Sequence, residues 1–401
     1  SGCATKKEQI VVVHESEKSQ IKQEKEEAFS VLMQEQAFGI EPPTVFTNGM
    51  EQEKIALVYG INNIGKYSVE AINVISSYLS LKHKNYALKV FDIKKESKEN
   101  YNFVLDQLNE QKIHNAIFLV TDESIYDLID NDKNQDINIY LPIINKNSVI
   151  NKNESNITSQ IVADINLTKT KKPQYENILF GGIDYDAQFD AIIKRVNYQR
   201  EMDYNKTLEY NDIQMQSNEE INLKVFEIHD NKQLSQNLYD TFRSKMDNFR
   251  SINMYGKNPN YPVVLSRYKD LNHSTVVLNT SIIKSSIILS QMRANEIYPK
   301  VVYSTQLNYT PLIFQLTQPE DRTMVQVTNS IQKLPHDLET MFNLVGTDIR
   351  YKWVNYSTLV GLEYLFSKSN TILGNEINNN QVQYMIEFLK IDKNSFIVQN
   401  N

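Results

Sequence analysis

The chain has 401 residues, with 42 Lys and Arg against 49 Asp and Glu, for a net charge of −7. Hydrophobic residues make up 41% and charged residues 23%, an ordinary globular mix, which excludes disorder along the whole length and supports a large core without a metal or disulfide staple. The acidic balance argues against a basic nucleic-acid binder, and no run of 18 apolar residues is present to span a membrane.

A single cysteine cannot form an internal disulfide or a Cys-based zinc site. Ser1-Gly2-Cys3-Ala4 resembles the tail of a bacterial lipobox, in which the thiol of Cys3 receives lipid. The resemblance implies export and a lipid anchor at Cys3, and Ala4 rather than Asp implies the periplasmic side of the outer membrane. A cloning remnant ahead of an ordinary cysteine is the alternative. Residues 4–50 alternate charged, Gln-rich and weakly apolar stretches and close on Glu41-Pro42-Pro43. That pattern predicts a stalk over residues 1–50, with a short helix over Gln23–Ala37.

From Lys54 onward, short β-rich runs alternate with helical spacing, the pattern of parallel α/β layering. Lys54–Tyr59 is apolar on both faces, as a buried parallel strand requires. Lys66–Lys84 carries Val69, Ile72, Val74, Ile75, Leu79 and Leu81 near helical spacing. Leu88–Asp92 reads as a strand, Glu99–Gln111 as a helix, and Asn115–Thr121 and Ile137–Pro142 as further strands. The polar stretch Asn145–Lys172 reads as a crossover.

The alternation restarts with a strand over Asn177–Ile183 and a helix over Tyr185–Val196. Strands over Glu220–Glu227, Ser274–Leu278 and Lys300–Ser304 are separated by helices near Leu234–Phe249 and over Ile282–Asn295. Thr323–Val327 is a short extended run, and Tyr356–Phe366 and Gln381–Leu389 read as closing helices. The expectation is an α/β protein of two doubly wound, Rossmann-like lobes: residues 51–168 plus about 329–374 in the first, 169–328 plus about 375–401 in the second.

Four asparagines, Asn156, Asn166, Asn205 and Asn272, sit in Asp/Glu-x-Asn-x-Ser/Thr contexts, where composition alone predicts roughly one. This extended acidic form resembles the acceptor of certain bacterial oligosaccharyltransferases, which act on exported proteins.

The layout of elements resembles the type I periplasmic-binding-protein fold, in which two lobes close on a cleft. Lys54–Gly65 is similar to its first strand and loop, and Asn177–Ile193 to the strand and helix that open its second lobe. Ser274–Ser304 is similar to a later strand–helix–strand unit, and Trp353–Leu365 to its late helix. The resemblance implies a cleft at the carboxyl ends of the strands. In this sequence that cleft takes Tyr59, Gly60, Asn62, Asn63, Thr121, Asp122 and Asn145 from the first lobe. From the second it takes Asp184, Tyr185, Asn279, Thr280, Ser304 and Gln306. The same residue types cap helices, so each also has a structural reading. Amino-acid receptors of the family usually show a Ser/Thr-rich segment after the fourth strand; Ile144-Asn145-Lys146-Asn147-Ser148 stands there instead.

The rival motif is Gly60-Ile61-Asn62-Asn63-Ile64-Gly65-Lys66-Tyr67, which follows a strand and opens a helix as a phosphate-binding loop does. Tyr67 stands where that loop needs a small hydroxyl for Mg²⁺, so a nucleotide binder is only a minor alternative. The six histidines, 14, 83, 114, 229, 273 and 336, show no metal-ligand spacing, and His83, His114 and His229 read as solvated side chains at element ends. No Gly-x-Ser-x-Gly elbow is present. Asp184/Asp186 and Asp122/Glu123 read as helix N-terminal charges before they read as acid–base pairs. No enzyme, metal or cofactor is therefore expected.

Two functions follow. One is a tethered protein that recognises another envelope protein, as the penicillin-binding-protein activator lipoproteins do. The other is a solute receptor that takes a small polar ligand and feeds a transporter. Contact with a membrane is expected only through the lipid anchor.

Overall fold

A computed structural model describes residues 43–48, 53–82, 85–129, 132–147, 177–213, 224–367 and 373–399. Cys3, the 23–37 helix and most of the expected stalk lie outside these residues, as do Asn156 and Asn166.

The first sheet is built from β1 (Thr44–Asn48), β2 (Glu53–Tyr59), β3 (Tyr86–Asp92), β4 (Asn115–Leu119), β5 (Asn138–Leu141) and β6 (Ile178–Phe180), with β12 (Glu376–Asn378) and β13 (Gln381–Gln383) returning late in the chain. Its order is β1-β3-β2-β4-β5-β6-β13-β12. The pairings from β3 to β13 are parallel, and β1 and β12 pair antiparallel at the two edges. The alternation along β2 explains its apolar sequence. Ile55, Leu57 and Tyr59 face one core with α1 (Tyr67–Lys82), whereas Ala56 and Val58 face another with α2 (Lys98–Glu110).

The second sheet takes β7 (Val225–His229), β8 (Arg250–Asn253), β9 (Thr275–Leu278), β10 (Val301–Ser304), β11 (Val325–Asn329), β14 (Glu387–Asp392) and β15 (Ser395–Val398), in the order β15-β14-β11-β10-β9-β7-β8. Helices α3 (Tyr185–Ile213) and α4 (Gln233–Lys245) meet Val277, Tyr303 and Phe388 on one face of this sheet. Helix α5 (Ile282–Ala294) belongs to the core on the other. After β11 the chain runs through α6 (His336–Leu344) to α7 (Trp353–Ser367), which packs against α1.

Both sheets therefore contain the same winding, β3-β2-β4-β5-β6 in one and β8-β7-β9-β10-β11 in the other. This is the 2-1-3-4-5 order of doubly wound folds, whose switch point lies between the first and third strands.

Several expectations from the sequence are corrected. Thr44–Asn48, expected in the stalk, pairs with β3 along its whole length. The strand near 177–183, expected to open the second lobe, is hydrogen-bonded between β5 and β13 and ends the first. The first crossing therefore falls at 181–184, not at 168/169. Gln381–Leu389 is not a helix: β13 pairs with β6, and β14 pairs with β11 and β15. The third crossing consequently lies between Gln383 and Glu387, not near 374/375. Val382 and Leu389 are buried in different sheets, and Met385 between them is exposed.

Candidate functional site

Helix α3 begins at Tyr185, and Gln188 in its first turn bonds Gln306, Thr328 and Ser330, at the carboxyl ends of β10 and β11. Gly181 follows the last residue of β6. Residues 181–184 thus join the carboxyl edge of one sheet directly to the carboxyl edge of the other. The switch points β2/β4 and β7/β9 lie on these two edges.

In the first lobe the β2/β4 crevice is organised by two carboxylates. Asp92 Oδ1 accepts from Ile61 N at 3.2 Å and Lys94 N at 2.8 Å, and its other oxygen pairs with Lys94 Nζ at 3.0 Å. Glu96 accepts from Thr121 N at 3.1 Å and Asp122 N at 2.7 Å. Burial pushes the Glu96 carboxyl above its usual range in spite of these donors. Asn63 Nδ2 donates to Thr121 Oγ1 at 3.4 Å over the top. This wall of carboxylates removes the phosphate-loop reading of Gly60–Tyr67. The backbone N–H of Ile61, which would cradle a phosphate, already serves Asp92.

In the second lobe the β7/β9 crevice is filled. Lys284 reaches from α5 to Asp230 at 3.1 Å and donates to the carbonyls of Met254 and Gly256 at 3.3 and 3.1 Å. Beside it, Glu227 accepts from Asn279 Nδ2 at 2.9 Å and from Ser251 Oγ at 3.0 Å, and lies 2.8 Å from His229 Nδ1. His229 stacks on the Tyr239 ring at 4.2 Å between centroids. Toward β10 and β11, Asn308 Nδ2 donates to Ser304 Oγ, to Ser285 Oγ and to the Thr280 carbonyl. Thr280 Oγ1 lies 2.8 Å from Ser285 Oγ.

The backbone of this two-lobed body matches solved structures over most of its length. With LpoA of Haemophilus influenzae the TM-score is 0.53 at 11% identity, covering 88% of this chain and 59% of that one. With LivJ of Streptococcus pneumoniae, a branched-chain amino acid substrate-binding protein in complex with isoleucine, it is 0.52 at 9% identity, covering 86% and 98%. A putative branched-chain amino acid transporter protein of Silicibacter pomeroyi gives 0.56 at 9% identity, covering 88% and 96%. This is the type I periplasmic-binding-protein fold. The chain spans less than two thirds of the LpoA structure it matches first. No protein-family model matches it, and no curated protein matches it by sequence.

In a periplasmic-binding-protein body the expected cleft residues fall into two groups. Asn62, Asn63 and Thr121 are exposed on the first lobe's edge. Asn279 and Thr280 are 0% exposed, Ser304 1% and Gln306 8%, and all four are engaged with their own lobe. Others do structural work. Asp184 Oδ1 accepts from Ala187 N at 2.9 Å and so caps α3, with its carboxyl raised by burial. Asp122 Oδ1 accepts from Ser124 N, Asn145 Nδ2 donates to the Gly182 carbonyl, and the rings of Tyr59 and Tyr185 belong to the cores.

His229 corrects a further expectation: it is buried against Glu227, not solvated. The signal available in the sequence was Glu227 and His229 inside the apolar run Val225–His229. Lys284 within the apolar Ile282–Leu289 segment was a similar flag. Gln188, Asp92 and Glu96 carried none, because a polar residue near a helix start or strand end is ordinary. Among the described residues no group of three or more His, Cys, Asp or Glu is placed to hold a metal ion.

Proposed function

We propose that this is a non-enzymatic protein of the bacterial envelope that recognises a protein partner through its two-lobed body, as a scaffold or activator. The observation that carries the reading is the second lobe's switch-point crevice. There Lys284 is paired with Asp230, the Thr280 hydroxyl with Ser285, Asn308 Nδ2 donates to Ser304 Oγ, and Gln306 bonds Gln188 and Ser330. A solute receptor needs such groups directed at its ligand. A penicillin-binding protein is the partner to try first, since the H. influenzae LpoA C-domain is described as a regulator of PBP1A. A lipid on Cys3 and the outer membrane complete the address. Of the two described sequons, Asn272 lies in an exposed loop, where Asn205 lies within α3, so Asn272 is the better glycan acceptor. Intact-mass measurement of the protein from its own envelope reads both modifications.

A second reading, a receptor for a small polar ligand, draws on the exposed Asn62, Asn63 and Thr121 and on Asn279 Oδ1, which is buried without a donor. A thermal-shift screen against amino acids, sugars and nucleosides separates the two. A ligand at about a thousand times its dissociation constant adds roughly 4 kcal/mol, a shift of several degrees. The partner reading expects no shift with any class and saturable binding to a PBP1A-type synthase. A shift with one class, without synthase binding, selects the receptor.

A further inference from the structure

A depression of about 960 Å³ lies between α3 and the β11–β14–β15 side of the second sheet, away from both switch points. Tyr303 and Phe388 contribute its aromatic surface, and Tyr198, Met385 and Val398 its exposed apolar surface. The Arg195 guanidinium lies 3.8 Å above the Phe388 ring centroid, held by the side-chain oxygens of Gln326 and Gln399. Lys194 beside it is exposed. The lining carries these two cations against a single carboxylate, Glu387.

Three features point to a ligand. The volume lies at the upper end of small-molecule sites, about 300–1,000 Å³. Met385 is 64% exposed beside an aromatic surface, on the segment where the chain crosses between lobes for the third time. The charge of the lining favours an anion. Stacking and two amide oxygens fix the guanidinium plane, the arrangement that suits recognition of a planar or tetrahedral oxyanion.

We propose that this groove is a second binding site, for a small amphipathic organic anion: a flat apolar body lying on the exposed Tyr198, Met385 and Val398, with one carboxylate or sulfonate set against Arg195 and Lys194. The site is independent of both switch points and of the partner reading.

The test uses the full chain and anilinonaphthalene sulfonate, an aryl body with one sulfonate, followed by fluorescence. Saturable binding is expected, with affinity lowered about tenfold by Lys194→Glu and by Met385→Asp, both at exposed side chains. Phenylnaphthylamine, the same body without the sulfonate, is expected to bind about tenfold more weakly. Ile283→Asp, on the exposed face of α5, should leave the affinity unchanged, and thermal melts establish that each variant is folded. Absence of saturable binding overturns the site, as does an effect of Ile283→Asp equal to that of the groove variants. Equal affinity for the neutral compound overturns the anion.

Discussion

Gln188 Oε1 accepts from Gln306 N at 2.9 Å, and Gln188 Nε2 returns a hydrogen bond to Gln306 Oε1 at 3.1 Å. The same side chain accepts from Thr328 Oγ1 at 2.8 Å and donates to Ser330 Oγ at 3.0 Å. One fully buried amide thus ties the start of α3, just past the first crossing, to the end of β11, where the second begins. Gln188→Leu leaves these partners without it in an interior closed to water. A loss of about 3 kcal/mol is expected in urea denaturation, since each orphaned buried group costs roughly 1–3 kcal/mol and neighbouring losses do not add. A loss below about 0.5 kcal/mol, the level of an ordinary surface substitution, would contradict the tie.

On the first-lobe side the crossings meet at Gly181. Its carbonyl accepts from Ser357 Oγ at 2.8 Å and Tyr384 Oη at 2.6 Å, while Tyr140 Oη lies 2.9 Å from Ser357 Oγ. A Cβ at Gly361 would stand 2.2 Å from Tyr140 Cδ1. Gly361→Ala is therefore expected to cost about 3 kcal/mol by overpacking. In a Tyr140→Ala background the same change should cost at least about 1 kcal/mol less, read from a double-mutant cycle. Simple additivity would separate the two positions.

Glu96 titrates with a defined sign. Its folded-state carboxyl lies above the ordinary value of 4.5, with burial the largest cause. The folded protein holds this proton more tightly than the unfolded chain, so the group's contribution is fully present below about 4.5 and is lost as pH rises through the folded value. Denaturation midpoints of wild type and Glu96→Gln across the acidic range isolate the effect. The wild-type advantage should shrink with rising pH over that window, and an advantage that grows would reverse the assignment.

Glu227 has three polar neighbours in an interior site, Asn279, Ser251 and His229. Glu227→Ala is expected to cost about 3 kcal/mol or more, because it leaves these groups buried without their acceptor. Glu227→Gln, which retains one acceptor oxygen, should cost less. Thermal unfolding of the two variants ranks them, and equal melting temperatures would mean that the carboxylate organises nothing.

Much of the architecture was legible in the residues. Ile55–Tyr59 and Asn115–Leu119 are apolar on both faces because both faces of a parallel strand are covered, and such runs read as buried strands with no knowledge of their neighbours. The apolar 356–366 segment likewise announced α7. Asp184 caps α3 as its position before the helix start suggested, and Asp122 bonds Ser124 N in a turn, because both are local hydrogen bonds. The sheet to which a short strand belongs was not legible. Ile178–Phe180 and Gln381–Gln383 have three residues each, and their place is decided by pairing with each other and with β5 across about 200 residues of sequence.

The site divides in the same way. Local spacing was enough to place polar residues at the carboxyl ends of the strands, since the turn from strand to helix demands them. Long-range packing set which of them are open: Asn62, Asn63 and Thr121 face solvent, while Thr280, Ser304 and Gln306 bond their own lobe. It also placed Lys284 against Asp230 and Gln188 against Gln306, partners 54 and 118 residues apart. Whether a buried polar group is open to a ligand depends on which distant side chain reaches it first, and that is set by packing, not by local spacing.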